Sequence, residues 1–419
     1  MYSKYKCNVV DRPKREILKT TNASKQVTVT SPQSIELVAA PVPSESLKVL
    51  HVYRTYYPDT QGGLEEVIRQ ICSNTMDDNI ESKVFTLTES SGQNVIKRPE
   101  AIVYRSKLTV ELASCGMSWQ ALSQFKQLLE WADIVHYHFP WPFADLLHFA
   151  ASVKKPSVIT YHSDIVRQKM LGRIYQPLMH RFLNSADSIV CTSPNYFATS
   201  EVLARYSSKV DVIPIGLNEG SYETPVASDV AEVEQAYGRD FFLFVGVLRY
   251  YKGLHILLDA IKDSPFNVVI AGSGPTEKEL VEQAERQGLD NIHFAGHVSN
   301  IEKAALFQLC RGVVFPSYLR SEAFGVTLLE GAMFAKPLIS TEVGSGTSHV
   351  NVHGETGLVI PPGSAKALRR AMRELWQQPD KARLMGKRAR ERYESLFTGE
   401  LMGKRYAHLY RRTVSQQDT

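Results

Sequence analysis

Two carboxylates carry the strongest chemical signal in the chain. Glu322 and Glu330 stand eight residues apart in Ser321-Glu322-Ala323-Phe324-Gly325-Val326-Thr327-Leu328-Leu329-Glu330, with a Phe-Gly turn and an apolar helical start between them. Just upstream, Gly312-Val313-Val314-Phe315-Pro316-Ser317 reads as a buried strand. The expected order is strand, polar loop, helix N-terminus. A helix start aims backbone N–H groups and a positive dipole end at whatever faces it, which suits phosphate. With one glutamate on the loop and the other about two turns along the helix, the pair fits a diphosphate flanked by two hydroxyl-rich ends. A hydrolytic acid/base pair would need carboxylates roughly 5–10 Å apart across the bond they cut. Eight helical residues span about 12 Å, so facing carboxylates are not the natural reading.

Basic and glycine-rich loops follow other strand patterns. Gly246-Val247-Leu248-Arg249-Tyr250-Tyr251-Lys252-Gly253 comes directly after the apolar run Phe241–Val245. Arg249 would offer a planar fork and Lys252 a point charge to a phosphate. Gly272, in Ala271-Gly272-Ser273-Gly274-Pro275, permits close backbone approach. Gly62 and Gly63 precede an amphipathic helix beginning at Leu64, and so could approach a phosphate or sugar. His162 lies at a strand end, in Tyr161-His162-Ser163-Asp164. His136 and His138 share one strand face, but with no third ligand at useful spacing a metal site is not expected.

These groups need a large scaffold. At 419 residues two domains are expected, and 43% hydrophobic with 22% charged residues fits a globular protein. Strand and helix patterns alternate along the chain, which argues for parallel, doubly wound sheets. Residues 1–46 read as a basic tail, 47–217 as a first Rossmann-like domain, and 218–240 as a polar connector. Residues 241–397 form a second Rossmann-like domain, and 398–419 a closing helical segment. Five scattered cysteines argue for reduced thiols, and no apolar run suggests a membrane span or a secretory signal. The expected location is cytoplasmic, on the inner face of the plasma membrane if the basic tail and the basic amphipathic segment Asp164–Leu183 contact anionic lipid. The core-facing reading of that segment is equally open. A net charge of +4 gives no case for nucleic acid.

Taken together, these motifs resemble the retaining glycosyltransferases of family 4, from about Leu47 to Leu409. The resemblance implies a GT-B fold, two doubly wound Rossmann-like domains facing across a cleft, with the last helix returning to the first domain. It implies catalytic roles for His162, Glu322, Lys252 and Arg249. Val247 occupies the position where the family usually has arginine, and Arg249 is assigned that role instead. Donor contacts fall to Gly62, Gly63, Gly272, Val298, Phe324, Gly325, Val326 and Glu330, with the backbone at Val298 reading the base and Glu330 the ribose. The resemblance implies no metal and no cofactor beyond a nucleotide-sugar donor. Arg249–Gly253 and Gly344–Asn351 look like bacterial O-antigen and exopolysaccharide mannosyltransferases, which implies GDP-mannose and a lipid-linked or saccharide acceptor. A UDP-sugar-dependent transferase and a sugar-nucleotide epimerase of the same fold stay open as alternatives.

Overall fold

A computed structural model describes residues 46–416, apart from 113–114 and 166–168. The basic tail therefore lies outside the described residues. So do the side chains of residues 166–173, within the basic amphipathic segment.

Among the described residues ten strands precede residue 213: β1 Leu47–Val52, β2 Ile80–Thr88, β3 Val95–Lys97, β4 Ile102–Lys107, β5 Val110–Leu112, β6 Cys115–Met117, β7 Ile134–Phe139, β8 Ser157–Tyr161, β9 Ser188–Cys191 and β10 Val210–Val212. Eight of them form one sheet in the order β10-β9-β8-β7-β1-β2-β4-β3, while β5 and β6 form a separate hairpin. The large sheet is parallel except at its edge, where β3 runs antiparallel to β4. The second sheet holds β11 Phe242–Val245, β12 Val268–Ala271, β13 Ile292–Gly296, β14 Gly312–Phe315, β15 Leu338–Thr341 and β16 Gly357–Ile360, all parallel. Its order is β13-β12-β11-β14-β15-β16. The second sheet is apolar through its centre, as parallel strands covered on two faces usually are, whereas the central strands of the first also bury His51, His136, His138 and Thr160.

Each sheet reverses direction once, between β1 and β7 in the first and between β11 and β14 in the second. Loops leaving the C-terminal ends of strands at such a reversal diverge and leave a crevice, which is where ligands bind in this architecture. The loops after β1, β11 and β14 carry Gly62, Lys252 and Glu322, and His162 follows β8.

The chain crosses between the sheets twice, and the crossings pair with each other. Leu217 donates its N–H to Phe397 and accepts from Gly399, at 2.9 and 2.7 Å. The segment 218–240, read as a polar connector, contains the helix Ala227–Tyr237. Of its residues only Val233 is buried, so it left no strong apolar pattern. The closing helix, Gly399–Ser415, packs along the helix Gly63–Thr75 of the first half. No helix among the described residues is long and apolar enough to cross a membrane.

Candidate active site

Two helix starts meet across the crevice. The helix Gly63–Thr75 is preceded by Gly62, and Val326–Met333 by Gly325, with no side chain capping either. A Cβ built on Gly63 would lie 3.7 Å from the Val326 side chain, so the two N-termini nearly touch. Gly325 adopts φ +88°, a left-handed conformation that glycine reaches without Cβ strain. Two positive dipole ends thus converge, an arrangement that favours an anion.

Beside them is a cavity of about 510 Å³, within the usual range for small-ligand sites. Gly62, Gly63, Gly272, Val298, Val326 and Glu330 line it, so six of the eight expected donor contacts come together. Gly272 has φ +129°, and a Cβ there would collide with the carbonyl oxygen of Gly246. Here the turn requires glycine on conformational and steric grounds alike.

Glu330 sits on the second turn of its helix and is almost buried. It accepts hydrogen bonds from Lys303 at 2.8 Å and from the Tyr222 hydroxyl at 3.0 Å. Burial pulls the Lys303 ammonium down, and attraction and hydrogen bonding to Glu330 outweigh it, holding Lys303 above the ordinary lysine range. Neither partner was found from sequence, since each is joined to Glu330 only by the fold.

Of the remaining catalytic candidates, Lys252 and Glu322 meet beside β14, whereas Arg249 lines a separate small cavity with Tyr250, His255 and Tyr318. Lys252 donates to Glu322 at 2.5 Å, linking the loops after β11 and β14 across the reversal point. Ser317 also donates to Glu322, at 3.2 Å. Lys252 lies 4.5 Å from the centroid of the Phe315 ring, which limits its alternatives. Arg249 is exposed on the same loop, close enough to Tyr53 of the first sheet to lower its hydroxyl pKa against the larger upward push of burial. Phe324 is 3% exposed and its ring packs edge-on to Phe397.

An ion pair ties the two histidine- and glutamate-bearing loops together. Arg320, two residues before Glu322, donates to Asp164, two residues after His162, at 2.9 Å. Its guanidinium stacks 4.3 Å above Tyr196 and donates to the carbonyl of Gly344 at 2.6 Å. Sequence reasoning missed this latch, because its two ends are 156 residues apart.

His162 accepts or donates at Nε2 with His138 Nδ1, 3.0 Å away. Burial pushes its pKa down to about 3, which keeps it neutral at physiological pH. The expectation that His136 and His138 lack a third partner is corrected by His51 on β1. Potential ligand nitrogens of all three lie within 4.8 Å of one another. Hydrogen bonds already engage His136 on both ring nitrogens, with Tyr410 and Thr160 at 2.7 Å each.

Comparison with known proteins accords with this architecture. Residues 61–220 match the family described as Glycosyltransferase Family 4, and residues 229–392 match Glycosyl transferases group 1. D-rhamnosyltransferase WbpZ of Pseudomonas aeruginosa is 51% identical over 81% of this chain and 89% of its own. O-antigen chain mannosyltransferase C of Escherichia coli is 50% identical over 79% of this chain and 89% of its own. Among solved structures, a sucrose-phosphate synthase from Thermosynechococcus elongatus superposes with a TM-score of 0.74 at 21% identity, covering 88% of this chain and all of the other. Two Rossmann-like sheets, a crevice at both reversal points and this degree of identity settle the assignment: the chain is a glycosyltransferase of family 4 with the GT-B fold.

Proposed function

We propose that this enzyme is a retaining, metal-independent hexosyltransferase of bacterial surface-polysaccharide synthesis. It moves mannose from GDP-mannose to a hydroxyl of a lipid-linked or saccharide acceptor. The observation that carries the site is the Lys252–Glu322 pair bridging the reversal point of the second sheet, beside two converging helix N-termini. The donor's diphosphate lies against those N-termini. Lys252 and Arg249 offset the charge that grows on it as the sugar leaves. His162 and Glu322 hold the sugar, while Glu330, fixed by Lys303 and Tyr222, takes the ribose hydroxyls. The departing phosphate accepts the acceptor's proton, so no side-chain base is required. The acceptor enters beside a second cavity, of about 380 Å³, lined by residues including Arg54, Asp59, Glu89 and Glu111.

The donor rests on the names of the two close relatives, one a mannosyltransferase and one a D-rhamnosyltransferase. The second of these names supports a GDP-deoxyhexose as the next donor to try. Thermal melts across nucleotides test the base. A ligand at 100 times its dissociation constant adds about 2.7 kcal/mol, so GDP should raise Tm more than UDP or ADP. A shift with UDP and none with GDP overturns the donor. The sugar should be consumed only with acceptor present, since turnover of donor alone would indicate an epimerase. The product should be α-linked and activity should survive a chelator. A β-linked product overturns retention.

The helix Lys169–Ser185 supports a peripheral site for anionic lipid, since Ile174 is 78% exposed on it. Sedimentation with phosphatidylglycerol vesicles should carry the protein down at low salt and release it at high salt.

A further inference from the structure

Behind His162 lies a line of imidazoles that the transfer chemistry does not use. His51 Nδ1 is 3.1 Å from His138 Nε2, and His138 Nδ1 is 3.0 Å from His162 Nε2. The three residues are 0%, 1% and 5% exposed, so exposure increases only toward the crevice. His136 stands beside the line, with both its nitrogens turned to Tyr410 and Thr160.

A neutral imidazole carries one N–H and one lone pair. Burial holds all three rings neutral, with His51 and His162 pushed down to about 3 and His138 well below its ordinary value. Each contact shares a single proton, so the whole line must point one way. If His51 donates from Nδ1, then His138 donates from Nδ1 and His162 carries its proton on Nδ1. In the opposite sense, His162 presents a bare lone pair there. The far end decides between them. His51 Nε2 is buried and has no hydrogen-bond partner among the described residues. In the first sense that atom is an unmatched lone pair, and in the second an unmatched N–H. Among buried backbone groups, orphaned N–H donors are rarer than under-satisfied acceptors, and the same preference applied to this ring favours the first sense.

We propose that His51 and His138 are positioning residues that fix His162 as an Nδ1–H donor facing the crevice. His162 then hydrogen-bonds to an oxygen of the bound donor sugar and cannot remove a proton from the acceptor. This deepens the role given to His162 in the proposed function and rests on that reading for the sugar. The tautomer itself needs no substrate to be observed.

The first test is a long-range proton–nitrogen NMR correlation on protein labelled with ¹⁵N-histidine. The His162 signals are assigned by their loss in His162→Asn. The expected result is a protonated Nδ1 and an unprotonated, hydrogen-bonded Nε2 near neutral pH. A protonated Nε2 with a bare Nδ1, or a charged ring, overturns the proposal whatever the enzyme transfers. So does stoichiometric metal in the purified protein, because the imidazoles would then be ligands.

Two variants extend the test. In His138→Leu the directing donor is gone, so the His162 tautomer is no longer fixed and the Nδ1–H form should give way to a mixture of the two forms, with kcat/KM lower by roughly 10-fold, the worth of one hydrogen bond. In His138→Asn the side-chain amide lies near the place of the lost Nδ1, and should restore both the Nδ1–H form and most of the activity. Equal loss in both variants, with the His162 tautomer unchanged, would mean that His138 only fills space and would reject its positioning role. The wild-type spectrum decides the tautomer even if neither variant folds.

Discussion

At the scale of single residues, the site is organised by charges that satisfy one another before any ligand arrives. Lys252 and Glu322 are 12% and 10% exposed at their side chains, so each neutralises a charge that would be costly to leave alone. Replacing Lys252 by Ala should cut turnover about 100-fold or more, since a well-placed electrostatic donor is worth about 2.7–4 kcal/mol in the transition state. It should also lower stability, because among the described residues Glu322 then keeps the Ser317 hydroxyl as its one side-chain donor. Adding Glu322→Gln should recover part of the lost Tm but none of the turnover, a non-additivity expected of residues in contact. Steady-state rates and melting curves of the two single variants and the double variant check this. Purified Lys252→Ala with near-normal turnover would remove Lys252 from the site. Lys252, Glu322 and Glu330 were legible in the sequence because each lies in a stretch that leaves a strand and runs into a helix. Lys303 and Tyr222 were not, being 27 and 108 residues from Glu330.

At the scale of elements, packing explains both what the sequence revealed and what it hid. Continuous apolar runs such as Phe242–Val245 and Val313–Phe315 announced buried parallel strands. The helix Ala227–Tyr237 is mostly exposed and gave no such run, and the antiparallel pairing of β3 with β4 depends on a register no periodicity records. The docking of the closing helix was implied by resemblance, and its physical cause appears only in three dimensions. Gly399 and Gly403 face Asn74, and a Cβ on Gly403 would fall on the Asn74 carbonyl oxygen. On an exposed helix, Gly→Ala stabilises by about 1 kcal/mol. Here Gly403→Ala should destabilise by roughly 1–3 kcal/mol, because the two helices must separate to admit the methyl group. Urea titration of the variant reads this directly. A rise in the midpoint would show that the helices do not pack closely there.

At the scale of the whole molecule, the two halves are joined by the paired crossings at Leu217 and Gly399 and by the Arg320–Asp164 latch, and the polar interior of the first half carries a pH liability. His51, His136, His138 and His162 share that interior, and burial holds each of them well below the ordinary histidine pKa of 6.5. An unfolded chain takes up protons at these positions below about pH 6.5, and the folded chain does not. Stability is therefore retained above that pH and lost as the pH falls below it. Each histidine removes up to about 1.4 kcal/mol per pH unit, and the four together about 5. By pH 5 the four together remove about 8 kcal/mol, a large part of a total stability of about 5–15 kcal/mol, so stability should fall steeply between roughly pH 6.5 and 5. Carboxylates held low by arginine and lysine, such as Glu219 and Glu400, lose their contribution nearer their ordinary value of 4.5. In the window itself His148 and His349, pushed by burial to about 4, add to the uptake, and Asp145, whose carboxyl burial holds well above its ordinary range, offsets up to one proton. Denaturant midpoints at intervals from pH 7.5 to 5 give the slope, and the slope gives the number of protons taken up on unfolding. An uptake near four or above agrees with buried neutral imidazoles, whereas a flat profile down to pH 5 would mean that the cluster charges without unfolding the chain.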